Sequence, residues 1–221
     1  MTKKIGKVFS IVKQNAPMEN ATITNTVYDQ NGYQITYYSL GANTNVIPER
    51  NVQQELVVVL QGTLYISLRT HQGRRDIEVR EGHGYLRPPM TLCGYDAHEE
   101  PCVIREVTLH NDSVLSKKLT ETEVFDFKNL VHFEPGMISQ AHLLCDRQLT
   151  FNMYAISGRK EGSQEIIRNT LVGVQQGRAE IRSEGRTCVL EKGEYLFLLA
   201  NAKCDYAISM NTIISILEEE N

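Results

Sequence analysis

Short segments in which apolar and polar residues alternate dominate the chain, and glycine-containing turns separate them. Two strand–turn–strand patterns stand out, one around Asn31-Gly32 and one around Gln61-Gly62: residues 23–28 with 33–40, and 54–60 with 63–69. Further turns are predicted at Gly73, Gly82 and Gly84, and residues 101–109 alternate again. The single segment with helical spacing is a weak one near residues 113–119. Many short strands with glycine turns predict an all-β barrel or sandwich.

The second half of the chain repeats the first in the same order, at an offset of about 111–116 residues. The repeated pairs are Val8-Phe9 with Val124-Phe125, Gln61-Gly62 with Gln176-Gly177, the segment around Gly82 with that around Gly193, and Cys93-Gly94-Tyr95 with Cys204-Asp205-Tyr206. The repeat predicts two copies of one β unit, residues 1–112 and 113–221.

These residues resemble the motifs of cupins, whose fold is a double-stranded β-helix or jelly-roll barrel. Glu55 followed by Gly62 matches the second half of the first cupin motif, and Gly82 followed by Pro88 matches the start of the second. In the second copy, Gly177 and Gly193 take the corresponding places. The resemblance covers nearly the whole chain and implies a bicupin, with two tandem cupin-type barrels.

Metal-binding cupins use two histidines and a glutamate of the first motif and a histidine of the second. In the first copy these positions hold Pro48, Arg50, Glu55 and Cys93, and in the second copy Ser163, Glu165, Thr170 and Cys204. Neither copy has a histidine at a ligand position, and none of the six histidines forms an HxH or HxxxH pair. We therefore predict degenerate metal-binding motifs, no metal site and no cofactor.

The residues left at these positions are the candidates for lining two ligand cavities: Arg50, Glu55, Cys93, Tyr95, Glu165, Thr170, Cys204 and Tyr206. Alternation places both members of each Cys-x-Tyr pair on one strand face, which we expect to be the barrel interior. Each cysteine is then either a small buried apolar group or a ligand or redox thiol.

Two further candidate positions have competing interpretations. Arg50 either holds an anionic or hydroxylated ligand or neutralises Glu55. Glu165 and Thr170 either line a second cavity or belong to a solvated strand end.

Charge and composition limit the kinds of partner that the chain is expected to bind. With 23 Lys+Arg against 27 Asp+Glu the chain is mildly acidic, which disfavours nucleic-acid binding. The longest apolar run, residues 56–60, is far shorter than a membrane span, and no targeting signal is present. The five cysteines are scattered without a CxxC pair, as expected of reduced thiols in a cytoplasmic protein. Residues 56–60 and 211–217 are apolar on both strand faces, which favours packing of the two barrels against each other. A homodimer is also compatible with these apolar strands.

Two concave barrels without the usual metal ligands favour a protein that binds or senses an unknown small molecule. The alternative is a cupin-type enzyme: an isomerase, epimerase or lyase acting on a sugar or small organic acid, metal-free or with a nonstandard metal site. In that case Glu55 would be the base, Tyr95 the acid and Arg50 the substrate anchor. A structural module whose barrels are filled by their own side chains is the third hypothesis.

Overall fold

The computed structural model describes residues 6–30, 33–70, 73–109, 113–120, 122–145 and 149–219. These residues form strands with three single-turn helices, as the alternating pattern predicts. None of the described helices is long and apolar enough to cross a membrane. The Asn31-Gly32 turn, His71 and His110 lie outside the described residues.

The described residues separate into two compact units that are not continuous in sequence. The described residues between 15 and 113 and between 119 and 127 form the N-terminal unit, and those between 6 and 14, 114 and 118, and 128 and 219 form the C-terminal unit. The predicted division into residues 1–112 and 113–221 differs from these units in two segments. Residues 6–14 pack in the C-terminal unit and residues 119–127 in the N-terminal unit.

The N-terminal unit is built from ten strands among its described residues: β2 (Thr22–Gln30), β3 (Tyr33–Leu40), β4 (Thr44–Arg50), β5 (Glu55–Gln61), β6 (Thr63–Thr70), β7 (Gly73–Arg80), β8 (His83–Arg87), β9 (Leu92–Ala97), β10 (Cys102–Thr108) and β12 (Val124–Asp126). Its described strands form one sheet of order β12-β8-β5-β10-β3-β2 and a second of order β4-β9-β6-β7. Helix α2 (Lys117–Thr120) covers part of the segment in which a weak helix is predicted.

The C-terminal unit repeats this architecture with the strands β1 (Val8–Ser10), β11 (Val114–Leu115), β13 (Ile138–Cys145), β14 (Leu149–Ile156), β15 (Lys160–Glu165), β16 (Asn169–Gln176), β17 (Arg178–Ser183), β18 (Arg186–Glu191), β19 (Glu194–Leu198), β20 (Lys203–Ile208) and β21 (Thr212–Glu219). The described strands form one sheet of order β1-β19-β16-β21-β14-β13-β11 and another of order β15-β20-β17-β18. Two single-turn helices, α1 (Ile11–Gln14) and α3 (Phe127–Leu130), follow β1 and β12.

Strand register agrees with the sequence repeat and also shows where the repeated Val-Phe segments lie. Phe125 of β12 pairs with Gly84 of β8, and the equivalent Phe9 of β1 pairs with Tyr195 of β19. The repeated Val-Phe segment of each sequence half therefore completes a sheet made mainly from the other half. The exchange is reciprocal, because each unit takes one edge strand from the sequence half that forms most of the other unit.

Each unit has its own apolar core between its two sheets. The N-terminal core includes inward-facing residues of β5, β6 and β9, such as Val57, Ile66 and Ala97. The C-terminal core includes their counterparts Val172, Ile181 and Ile208. Both faces of β5 are buried between Leu56 and Val59, which agrees with the continuous apolar run in the sequence.

Gly84 lies inside β8 and is not the turn residue that the sequence predicts. A Cβ at Gly84 would lie 2.6 Å from Phe125 and 2.9 Å from Phe127. The glycine is therefore required for β12 to pack on the sheet. Gly82, by contrast, is a turn residue with a φ of 78°.

Replacing Gly84 with alanine is expected to lower the free energy of unfolding by about 1–3 kcal/mol, because the added methyl group overpacks the two phenylalanine rings. Gly158→Ala is the matched control, since a Cβ there meets no atom within 4 Å. The control should change stability by less than about 0.5 kcal/mol. Urea unfolding followed by circular dichroism measures both. Equal stability of the two variants would contradict the role assigned to Gly84.

Candidate functional site

Three of the residues predicted to line the first cavity lie together inside the N-terminal unit. Glu55 begins β5 and is 1% exposed, and Cys93 and Tyr95 of β9 are 3% and 4% exposed. Both β9 side chains belong to the apolar core, so the Cys-x-Tyr pair faces inward. Glu55 faces the same interior, because it shares a strand face with Val57.

Arg50 is exposed at the end of β4 and does not join this group. Val46 pairs with Tyr95 but Glu49 pairs with Cys93, so β4 contains one more residue than β9 over this stretch. An extra residue reverses the face that each following side chain occupies. Counting along the sequence therefore placed Arg50 on the wrong face of the strand.

The buried partner of Glu55 is Arg87, the last residue of β8. Arg87 Nη1 donates a hydrogen bond of 2.6 Å to Glu55 Oε2, and its side chain is 3% exposed. The other guanidinium nitrogen, Nη2, donates to the backbone oxygens of Glu49 at 2.5 Å and of Thr91 at 3.1 Å. Asn51 donates its side-chain N–H to Glu55 Oε1. This buried ion pair thus holds together the chain segments before β5 and after β8.

A second buried carboxyl group, Glu106 of β10, lies in the same interior and was not identified from the sequence. It is 4% exposed and accepts hydrogen bonds from the phenol groups of Tyr95 and of Tyr38, the latter at 3.3 Å. The two phenol rings meet edge to face, with centroids 5.9 Å apart. The sequence did contain an indication of this group, because Glu106 falls on the same strand face as the buried residues Cys102 and Ile104.

The electrostatics of the group follow from burial. Burial and the nearby Glu55 raise the pKa of Glu106 to about 7. Burial also raises the pKa of Glu55, and the Arg87 guanidinium opposes that rise. Tyr95 and Tyr38 have raised pKa values because they are buried beside Glu106, so both remain phenols that donate hydrogen bonds.

Burial raises the pKa of Cys93 to about 12, against the opposing effect of Arg87. A thiol with a raised pKa is a poor nucleophile and a poor redox group. Of the two interpretations, the structure therefore favours the small buried apolar group. Cys102 of β10 has the same character, with a pKa raised to about 12 by burial.

The residues predicted in the second cavity are more dispersed. Glu165 is exposed at the end of β15, and Thr170 is buried with its hydroxyl donating to the backbone oxygen of Arg168 at 2.7 Å. Cys204 is buried in the core, and Tyr206 packs against that core with its ring over Gly162.

Strand register shows which residues of the C-terminal unit replace the buried charges. Glu55 pairs with Arg87 and with Thr108, whereas Thr170 pairs with Leu198 and with Glu218. The counterparts of Glu55, Arg87 and Glu106 are therefore Thr170, Leu198 and Ile216. The same fold thus holds three charged side chains in one unit and uncharged residues at the equivalent positions of the other.

The metal that cupins commonly carry does not fit these residues. Of the four positions at which cupins hold metal ligands, Glu55 alone keeps the usual residue in the N-terminal unit, and its carboxylate is hydrogen-bonded to the Arg87 guanidinium, a cation that cannot ligate a metal. Cys93, at another of these positions, is a buried thiol whose raised pKa disfavours the thiolate that binds metals. Among the described residues, no group of three or more His, Cys, Asp or Glu could hold a metal ion.

The described histidines lie away from this cluster. His98 and His132 are exposed and lie 3.6 Å and 2.5 Å from Asp96 and Glu134, respectively. His142 is exposed on β13. His83 is half-buried at the start of β8.

The ion pair gives a direct test of whether the buried charges stabilise the barrel. Arg87→Leu should lower the free energy of unfolding by about 3–5 kcal/mol, because it leaves the Glu55 carboxylate buried without its partner. The double variant Glu55→Thr with Arg87→Leu installs the pair found in the C-terminal unit, and should recover at least half of that loss. Urea unfolding measures both, and a double variant no more stable than Arg87→Leu would contradict this account.

Comparison with known proteins identifies the fold. No family model matches the chain, and neither does any curated protein. Among solved structures, a cupin 2 conserved barrel domain protein from Leptotrichia buccalis is similar at a TM-score of 0.81 and 14% identity, covering 100% of this chain and 99% of that one.

Two enzymes are also similar in structure. A variant of oxalate decarboxylase from B. subtilis has a TM-score of 0.57 and 10% identity, with 100% of this chain and 78% of that chain covered. Salicylate 1,2-dioxygenase from Pseudaminobacter salicylatoxidans has a TM-score of 0.68 and 10% identity, with 99% and 85% covered. At such low identity the likeness concerns the fold, and it confirms the prediction from the sequence: the chain is all-β and has the cupin fold.

Proposed function

We propose that the N-terminal barrel binds a small organic molecule at the cluster formed by Tyr38, Glu55, Arg87, Tyr95 and Glu106, without a metal ion. The observation that carries the proposal is the presence of these buried charges in one barrel and their replacement by Thr170, Leu198 and Ile216 in the other. Burying charged groups generally costs stability relative to apolar packing. The C-terminal unit shows that this fold forms without them, which supports a role in recognition.

An unsatisfied donor supports the same assignment. Arg87 Nε is buried and has no hydrogen-bond acceptor among the described residues. Buried polar groups are nearly always paired with the protein, a bound molecule or ordered water, so this donor is available to an incoming acceptor. An oxygen atom of a bound molecule would accept this hydrogen bond beside the Glu55–Arg87 pair.

Tyr38 marks the side from which the cluster can be reached. It is half-buried, whereas Tyr95 and Glu106 are fully buried. Farther along the same strand face, the hydroxyls of Thr36 and Thr26 lie 3.0 Å apart and continue the polar surface. A ligand with hydroxyl or amine groups could therefore donate hydrogen bonds to Glu106 and to the Tyr38 oxygen, while one of its own oxygen atoms accepts from Arg87.

Acid–base catalysis is the second candidate, and Glu106 is the observation that favours it. A carboxyl group whose pKa is raised to about 7 is suited to exchange protons near neutral pH. The roles assigned from the sequence change accordingly. Glu55 is bonded to Arg87, Tyr95 donates to Glu106, and Arg50 is exposed, so Glu106 replaces Glu55 as the candidate base.

Other expectations from the sequence stay predictions: a cytoplasmic location, a homodimer, the absence of a cofactor and the absence of nucleic-acid binding.

The proposal can be tested with a panel of small polyols, amines and hydroxy acids screened by thermal shift on the full chain, with affinities of hits measured by calorimetry. Tyr38→Phe should weaken binding of a hit roughly tenfold, because one hydrogen bond at the entrance is lost. Tyr65→Phe is the control, since Tyr65 packs on His98 through its ring face and not through its hydroxyl. Equal affinity of wild type and Tyr38→Phe for every hit would contradict the proposed site.

The same hits separate binding from catalysis. Incubation with the protein, followed by NMR of the small molecule, should return it unchanged if the protein is a binding protein. Conversion that disappears in Glu106→Gln would establish the enzyme alternative instead.

A further inference from the structure

We infer that the C-terminal unit carries a second, separate binding site for a neutral hydroxylated molecule, formed by His142, Asn152, Tyr154 and Glu218. These residues lie on three adjacent strands, β13, β14 and β21. The inference is independent of the function proposed for the N-terminal barrel, because none of its residues belongs to that cluster.

Strand register places the four side chains on the inward face of the sheet. Tyr154 and Ile216 pack against the C-terminal core, so this face of β14 and β21 continues to Asn152 and Glu218. His142 lies opposite Asn152, and Gln140 lies opposite Tyr154. The interior of this unit is therefore apolar at Val172 and Leu198 but becomes polar toward one end.

Hydrogen bonds fix the orientation of these groups. His142 Nδ1 lies 2.7 Å from Asn152 Oδ1, an amide oxygen that can only accept, so Nδ1–H donates in this contact. In the tautomer with its proton on Nδ1, the other ring nitrogen, Nε2, is an acceptor. Gln140 donates to the Tyr154 hydroxyl at 3.0 Å, and Thr150 donates to Glu218 Oε2 at 2.9 Å. Burial and Glu218 raise the pKa of Tyr154, which keeps its own proton available for donation.

Four positions remain for a ligand after these bonds are counted. Within the described part of the chain, the bonds leave two acceptors, His142 Nε2 and Glu218 Oε1, and two donors, the Asn152 amide and the Tyr154 hydroxyl. A hydroxyl group both donates and accepts, so a molecule with several hydroxyls matches such a mixed set. The Glu218 carboxylate disfavours an anionic ligand.

The N-terminal unit lacks this arrangement at the equivalent positions. Strand register aligns His142 with Thr26 and Asn152 with Thr36, while Tyr154 aligns with Tyr38. The two threonine hydroxyls bond to each other at 3.0 Å. The C-terminal unit therefore has longer imidazole and amide side chains where the N-terminal unit has threonines. This difference indicates that the two barrels recognise different molecules.

The inference is tested by NMR on the full chain, following the Asn152 side-chain amide and the His142 ring. The neutral probes are glycerol, D-glucose and D-galactose, and the charged probes are acetate and ethylammonium. At least one neutral probe should cause saturable shifts in both side chains. Saturation by the charged probes alone, or by none of the probes, would overturn the inference.

Two histidine variants complete the test. In His142→Ala, the affinity measured from the Asn152 amide should fall about tenfold, because the exposed imidazole acceptor is lost without disturbing the core. His132→Ala removes another exposed histidine, one that pairs with Glu134 outside the site, and should bind as the wild type does. Equal affinities in both variants would also overturn the inference.

Discussion

The buried ion pair between Glu55 and Arg87 is the constraint on which the N-terminal site depends. Charges removed from water require an opposite charge and further hydrogen bonds to remain ionised, and this pair receives both. Asn51 donates a hydrogen bond to the carboxylate, and the backbone oxygens of Glu49 and Thr91 accept hydrogen bonds from the guanidinium. Because these partners come from separate segments, the charge pair ties together the ends of β4, β5 and β8 and places its charges close enough to Glu106 to affect its pKa.

The second barrel shows what the fold alone requires. Thr170, Leu198 and Ile216 stand where the first barrel has Glu55, Arg87 and Glu106, and the sheets nevertheless pair in the same register. Apolar packing is therefore sufficient to build this barrel, and the charged cluster is an addition to it. The duplicated unit has kept one architecture while its two interiors have acquired different chemistry.

Sequence reasoning recovered the features that depend on local periodicity. Alternation predicted the strands and the inward face of Cys93 and Tyr95, and the repeat predicted two equivalent units. It missed the features set by pairing between distant strands. Arg87 meets Glu55 only through the register of β8 with β5, and the extra residue in β4 turned Arg50 outward. The reciprocal placement of β1 and β12 leaves no local signal, since either sheet could accept a Val-Phe strand.

The properties described for the N-terminal cluster depend on the burial of its charged groups, which should make the Glu106 carboxyl group gain and lose its proton near neutral pH. The most direct measurement is a pH titration of glutamate carboxyl carbons by NMR, with the signal of Glu106 assigned from its loss in Glu106→Gln. Because burial and Glu55 raise the pKa of Glu106 to about 7, its signal should titrate around that pH. A midpoint near the ordinary glutamate value of about 4.3 would contradict the account.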